Sequence, residues 1–190
     1  MIPIFLSYPK PFLPSQENFI KYVNSYLKGR GFDPRTLGVN EYDMEAPLNS
    51  IRRMITESHG LLSIALKKTL ATGVIRRPGS AIVPPPNDNT TETNSIEPEF
   101  ENVWFTSPWC HIEAAMAYQI GLPILILRDK GVFVEGVLDK GAVGLYMPEI
   151  DIDNEQQMYF ETEEWKDLIG QWEGYVRSVV KSKGNPPKLY

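Results

Sequence analysis

SPWCHIEAAMAYQIGLPILIL, residues 107–127, holds a helix start, a helix stop and a strand in direct succession. Ser107 supplies an N-cap hydroxyl, and Pro108 suits the first helical position, where its missing N–H has no intrahelical partner. Cys110, Glu113, Ala114 and Ala117 recur at three- and four-residue spacing. They therefore share one face, and its small side chains suit close packing against a neighbour. Gly121 closes the helix after about Ile120. Leu122-Pro123-Ile124-Leu125-Ile126-Leu127 is then an apolar run of strand length without polar alternation, the pattern of a strand covered on both faces. A helix feeding such a strand is part of a strand–helix–strand unit, so this stretch predicts an α/β fold. It leaves two readings of Glu113: a solvated surface glutamate, as most are, or a carboxylate held on a stripe of small residues.

The same alternation extends outward. Residues 2–7, IPIFLS, read as a buried first strand that stops at Tyr8-Pro9. From Ser15 onward Phe19, Val23, Tyr26 and Leu27 fall on one helical face, and Gly29 and Gly31 end that segment. Thr36 to Val39 reads as a weaker second strand. Pro47 opens a helix with Leu48, Ile51, Met54 and Ile55 as its apolar positions, and Leu61 to Leu66 reads as a third buried strand. Residues 73–101 break the pattern with Arg76-Arg77-Pro78-Gly79, three consecutive prolines at 84–86 and the polar run Asn87 to Ser95. That composition predicts a long surface loop. Order returns near Val103-Trp104-Phe105, and after the strand at 122–127 the glycine-rich residues 131–144 lead to an edge strand around Val143 to Met147. Thr162 caps a last helix over about 162–183, with Glu163 and Glu164 in its first turn. Its stripe of Trp165, Leu168, Ile169, Trp172, Tyr175, Val176, Val179 and Val180 covers a core or serves a partner subunit. Strands alternating with helices predict a mainly parallel sheet with helices on both faces and a ligand crevice beyond the carboxyl ends of the strands.

At 190 residues and 42% hydrophobic, the chain suits one domain with a real core, over residues 1–190. A net charge of −5 lacks the electrostatic footprint of a nucleic-acid binder, and the basic pairs Arg52-Arg53, Lys67-Lys68 and Arg76-Arg77 are too short to track phosphates. Cys110 is the single cysteine, which forbids an intrachain disulfide and fits a reducing compartment. Met1 to Lys10 lacks the features of a signal peptide, and no apolar run is long enough to span a bilayer, so a cytoplasmic location with no membrane is expected. In that setting the glycosylation pattern at Asn89 has no chemistry behind it. With only His59 and His111, no metal site is expected. Gly136 to Gly141 has the first spacing of a phosphate loop but not the Lys-Ser/Thr that should follow, and Gly29-Arg30-Gly31 ends a helix instead of opening one.

Three segments in order resemble the TIR domain family. Phe5-Leu6-Ser7-Tyr8 is similar to its first-strand motif. Asp43, Pro47, Ile51, Ile55 and Ser58 resemble the second motif, with Leu48 where a glycine is usual. Ser107, Trp109, Cys110 and Glu113 resemble its helix signature, including the W-x-x-x-E pattern that holds the catalytic glutamate of enzymatic members. The resemblance covers roughly residues 1–150. It implies a flavodoxin-like three-layer sandwich and a catalytic Glu113, with Ser7, Tyr8, Asp43, Trp109 and Cys110 binding substrate. The nucleoside 2-deoxyribosyltransferases are similar in the same places, through Gly31-Phe32 and the passage from Glu113 to Pro123. Both families cleave an N-glycosidic bond.

The chemistry asks little of the protein. A nicotinamide leaving ribose C1′ departs neutral while positive charge develops on the sugar, so what is needed is an anion beside C1′. Glu113 is the candidate, and Trp109, one turn earlier, can stack on the departing base or serve as a core aromatic. The leading expectation is a TIR-like NAD glycohydrolase or ADP-ribosyl cyclase, with NAD as substrate and no cofactor. The family implies self-association and a signalling nucleotide for a separate effector in bacterial antiphage defence. The alternatives are a deoxyribosyltransferase-like N-glycosidase and a non-catalytic TIR interaction module.

Overall fold

Parallel pairing organises the chain. A computed structural model describes residues 1–38, 46–74, 101–144, 146–154 and 156–182. In chain order the elements are β1 (Ile2–Ser7), α1 (Pro14–Gly29), β2 (Phe32–Arg35), α2 (Pro47–Glu57), β3 (Leu61–Ala65), β4 (Thr69–Ala71), β5 (Val103–Phe105), α3 (Pro108–Gln119), β6 (Ile124–Asp129), β7 (Glu149–Ile150), α4 (Gln156–Tyr159) and α5 (Glu163–Lys181). The five-stranded sheet has the order β2-β1-β3-β6-β7, and each pairing is parallel. Numbered within the sheet alone this is 2-1-3-4-5, the flavodoxin-like order. The direction of travel across the sheet reverses at β1, so α1 lies on one face and α2 on the other.

Side-chain alternation along the strands divides the core in two. Ile4, Leu6, Leu62, Ile64, Leu125 and Leu127 pack with Phe19, Val23 and Leu27 of α1 and with Trp165, Ile169, Trp172 and Val176 of α5. Phe5, Leu61, Ala65 and Ile126 pack with Ile51, Met54 and Ile55 of α2 and with Ala114 and Ala117 of α3. The result is three layers, α1 and α5 over the sheet over α2 and α3. Every residue of β3 is buried, as expected for a central strand covered on both faces.

Several boundaries differ from the sequence reading. The second strand is Phe32–Arg35, not Thr36–Val39, because its register on β1 places Phe32 opposite Ile2 and buries that ring against Trp172. Gly31, at φ +88°, turns the chain immediately before it, a conformation that suits glycine. Pro34 is tolerated because β2 is an edge strand. Thr36 follows the strand, and its hydroxyl donates to the Leu6 carbonyl at 2.8 Å. The opposite edge is Glu149–Ile150, not Val143–Met147; Ile150 and Ile152 supply the apolar side chains that bury there, and Glu149 pairs with Arg128. β4 gave no strand signal in the sequence and pairs antiparallel with β5 at the base of the 73–101 insertion, of which residues 75–100 lie outside the described residues.

The helices keep their predicted caps but turn slightly. Thr162 Oγ1 accepts from Trp165 N–H at 3.2 Å, and the helix it starts ends at Lys181. On α5, Tyr175 and Val180 are exposed and Glu173 is buried in their stead, held by Arg30, whose Nη2 donates to Glu173 Oε2 at 3.1 Å. On α2, Leu48 is exposed and Ser50 takes the buried place.

Candidate active site

Two polar residues at the carboxyl edge of the sheet come together from opposite ends of the fold. Ser7 closes β1 and pairs in register with Ser63 of β3; alternation sends both toward α3, below Phe5 and beside Ala65. Ser107 starts α3, its hydroxyl accepting from Trp109 N–H at 3.3 Å. The helix can lie close to the sheet because Ala114 and Ala117 form its contact face. One turn nearer the helix start, that face carries Glu113. Ser7 Oγ donates to Glu113 Oε2 in a short hydrogen bond, and Glu113 is only 9% exposed. Burial withdraws water from the charged form and pushes its carboxyl up to about 7 from an ordinary 4.5, while the Ser7 hydrogen bond pulls the other way. The carboxyl therefore titrates near neutrality.

Cys110 lies beneath this pair. Its thiol is 1% exposed, receives the Thr106 hydroxyl at 3.8 Å and faces the Ile64 carbonyl at 4.0 Å. Burial, reinforced by the Glu113 charge, pushes it up to about 11. A thiol so held stays protonated and is no nucleophile. Trp109, in the first turn of α3, is partly exposed at 40%. Asp43 lies outside the described residues.

Tyr8 follows Ser7 but points to the other face of the sheet, against the α1 layer. There it lines a cavity of about 500 Å³ with residues of α1 and of the segment after β2. Burial raises its phenol above the ordinary value, opposed by a hydrogen bond with Thr36. The structure thus joins Ser7, Cys110 and Glu113, leaves Trp109 partly exposed in the first turn of α3, and sends Tyr8 across the sheet. Another concavity, of about 240 Å³ beside Leu122, Trp172 and Tyr146, lies at the amino end of β6, away from Glu113.

The sequence reading missed the hydroxyls of Ser63 and Thr106 that surround the thiol. A signal for Ser63 existed: it is the lone polar residue inside the apolar run Leu61 to Leu66. It also missed the stacking of Phe12 on Trp104, ring centroids 6.4 Å apart, which ties the segment before α1 to β5. A third omission is Asp129 at the end of β6, which accepts from Lys67 N–H at 3.2 Å. Among the described residues no group of three His, Cys, Asp or Glu could hold a metal, and no helix is long and apolar enough to cross a membrane. His111 approaches Gly136, whereas His59 precedes β3 at the amino edge of the sheet.

No family model and no curated protein matches the chain. Among solved structures it is similar to the CMP N-glycosidase BcmB of Clostridium botulinum, at 14% identity and a TM-score of 0.46, over 84% of this chain and 99% of that one. It is also similar to the TIR domains of the activated Roq1 resistosome recognizing the pathogen effector XopQ, at 12% identity and a TM-score of 0.41, over 95% of this chain and 84% of that one. FerB, a flavoenzyme NAD(P)H:(acceptor) oxidoreductase from Paracoccus denitrificans, follows at 11% identity and a TM-score of 0.33, over 95% and 94% of the two chains. These likenesses concern the layering of helices on a parallel sheet; the assignment of the fold rests on the strand order itself.

Proposed function

We propose that the chain cleaves the N-glycosidic bond between nicotinamide and ribose in NAD, with Glu113 as the anion facing C1′. One observation carries this reading: a carboxylate hydrogen-bonded by Ser7 and nearly sealed from water, at the carboxyl edge of a parallel sheet, where α/β folds bind ligands. Among the described residues Ser7 is the one side chain that hydrogen-bonds this carboxylate; burying it on so few partners is costly, and a fold under no functional demand has little reason to keep it. That cost argues against the non-catalytic module.

In the proposed step the C1′–N bond breaks, and nicotinamide leaves neutral with the bonding electron pair. The ribosyl carbon gains positive charge that the Glu113 carboxylate stabilises, directly or as a transient ester. Water then adds at C1′ and gives up a proton, yielding ADP-ribose; attack by an internal or foreign acceptor would give a cyclic or transferred product. Trp109 stacks on the departing ring, and Ser7 fixes the carboxylate. Cys110 backs the carboxylate as a neutral wall, and Asp43 belongs to the pocket by the motif resemblance alone. Deoxynucleoside cleavage is the weaker reading, because an anionic base would need a proton donor besides the group that stabilises the sugar.

At the level of biological role the proposal follows the resemblance: self-association through the domain, and a product nucleotide sensed by a separate effector in antiphage defence. The test is release of nicotinamide from NAD, run beside release of base from deoxynucleosides, over a range of protein concentrations and with mass analysis of products. Glu113→Gln should lower nicotinamide release by at least about a hundredfold, the scale of losing a charge-stabilising group. Full activity in that variant would remove Glu113 from the mechanism.

A further inference from the structure

The cavity of about 500 Å³ beside Tyr8 is unused by the chemistry at Glu113. Its walls differ in kind. Lys10 and Lys21 bring positive charge, Glu17 a carboxylate, Thr36 a hydroxyl, Tyr8 a flat ring and Leu37 an apolar side chain. Lys21 and Glu17 pair at 2.9 Å across one turn of α1, both well exposed. Such a pair is held weakly, so an incoming phosphate can recruit the ammonium. Position matters as much as lining. Ser7, bonded to Glu113, and Tyr8, lining the cavity, are consecutive residues that diverge to opposite faces at the end of β1. The chain's direction of travel across the sheet reverses at this strand, so the carboxyl end of β1 is flanked by both helical layers.

We infer that this cavity receives the second, phosphate-bearing nucleotide half of a dinucleotide whose glycosidic carbon lies at Glu113. The inference rests on the reading of Glu113 given above. Lys10 and Lys21 attract the phosphates, Glu17 accepts from the ribose diol, and the base lies against Tyr8 and Leu37. The volume falls within the range of nucleotide-sized pockets. A substrate lacking the second half would leave the cavity empty and be discriminated against.

The test uses two readouts on the wild-type chain and on a Lys10→Ala/Lys21→Ala variant, whose exposed positions leave the fold intact. ADP-ribose binding is measured by calorimetry, and nicotinamide release is compared between NAD and nicotinamide riboside. The expected result is at least a tenfold weaker affinity for ADP-ribose in the variant, with the kcat/KM preference for NAD over the riboside falling by a similar factor. ADP-ribose that binds both proteins equally, or neither, overturns the inference. An unchanged NAD preference in an active variant also overturns it while leaving Glu113 in place. Loss of ADP-ribose affinity in the variant, with no nicotinamide released from either substrate by the wild type, upholds the cavity and removes the proposed reaction.

Discussion

Glu113 is held between two opposing influences, burial that favours its neutral form and a serine hydroxyl that favours its charged one. Since the proposed chemistry uses the anion, kcat/KM should rise with pH at unit slope below about 7 and level off above it. Ser7→Ala removes the donor, so the rising limb should move to higher pH. Activity at pH 6 then falls severalfold more than activity at pH 8.5, as steady-state assays at the two values would show. An equal loss at both would make Ser7 a contact for substrate and not a tuner of the carboxyl. At this scale the sequence was partly legible. The spacing of Cys110, Glu113 and Ala114 on one face left a solvated surface glutamate and a packed carboxylate both open, with the solvated one the commoner case, and the structure buries all three. The Ser7 bond spans 106 residues and left no local trace, because only strand register and helix placement bring the two together.

Among the elements, those legible in advance carry their own signal. β3 and β6 are apolar runs, and α3 and α5 have hydroxyl caps that the structure uses. The edges β2 and β7 were misplaced because four- and two-residue strands are fixed by what they pair with, not by their own pattern. The junction of β3 with α5 makes a sharper statement about packing. A Cβ at Gly60 would meet Val176 Cγ2 at 2.6 Å and Trp172 Cζ2 at 3.3 Å. Val176 is fully buried and, being β-branched in a helix, has one favoured rotamer, so it cannot swing aside. Trp172 is anchored as well, its indole N–H donating to the Pro123 carbonyl at 3.2 Å. Gly60→Ala should therefore cost about 1–3 kcal/mol by pushing α5 off the sheet, read as a lower urea midpoint. An unchanged midpoint would mean that α5 shifts freely on β3.

For the whole molecule, the candidate site sets a pH dependence of stability. The Glu113 carboxyl titrates near 7 in the folded protein and near its ordinary 4.5 in the unfolded chain. Between those values the folded state holds a proton that the unfolded state has released, so folding stability falls as pH rises through that window and is flat above it. At 1.36 kcal/mol per pH unit, the loss is at most about 3 kcal/mol, a large share of a typical net stability. Asp129 is shifted in the same direction by burial, and exposed carboxylates with partners, such as Glu57, are shifted in the other. Glu113→Gln isolates the contribution of one side chain from these, since its amide oxygen can still accept from Ser7 but carries no charge. Urea unfolding of both proteins at pH 5 and pH 8 should show the variant gaining about 2–3 kcal/mol on the wild type between the two conditions. The same substitution would then lower nicotinamide release by at least about a hundredfold, which is the exchange of stability for activity expected where a charged group is buried for chemistry. Parallel stability curves would mean that water reaches the carboxylate in the folded protein and that its environment is not the desolvated one on which the proposed reaction depends.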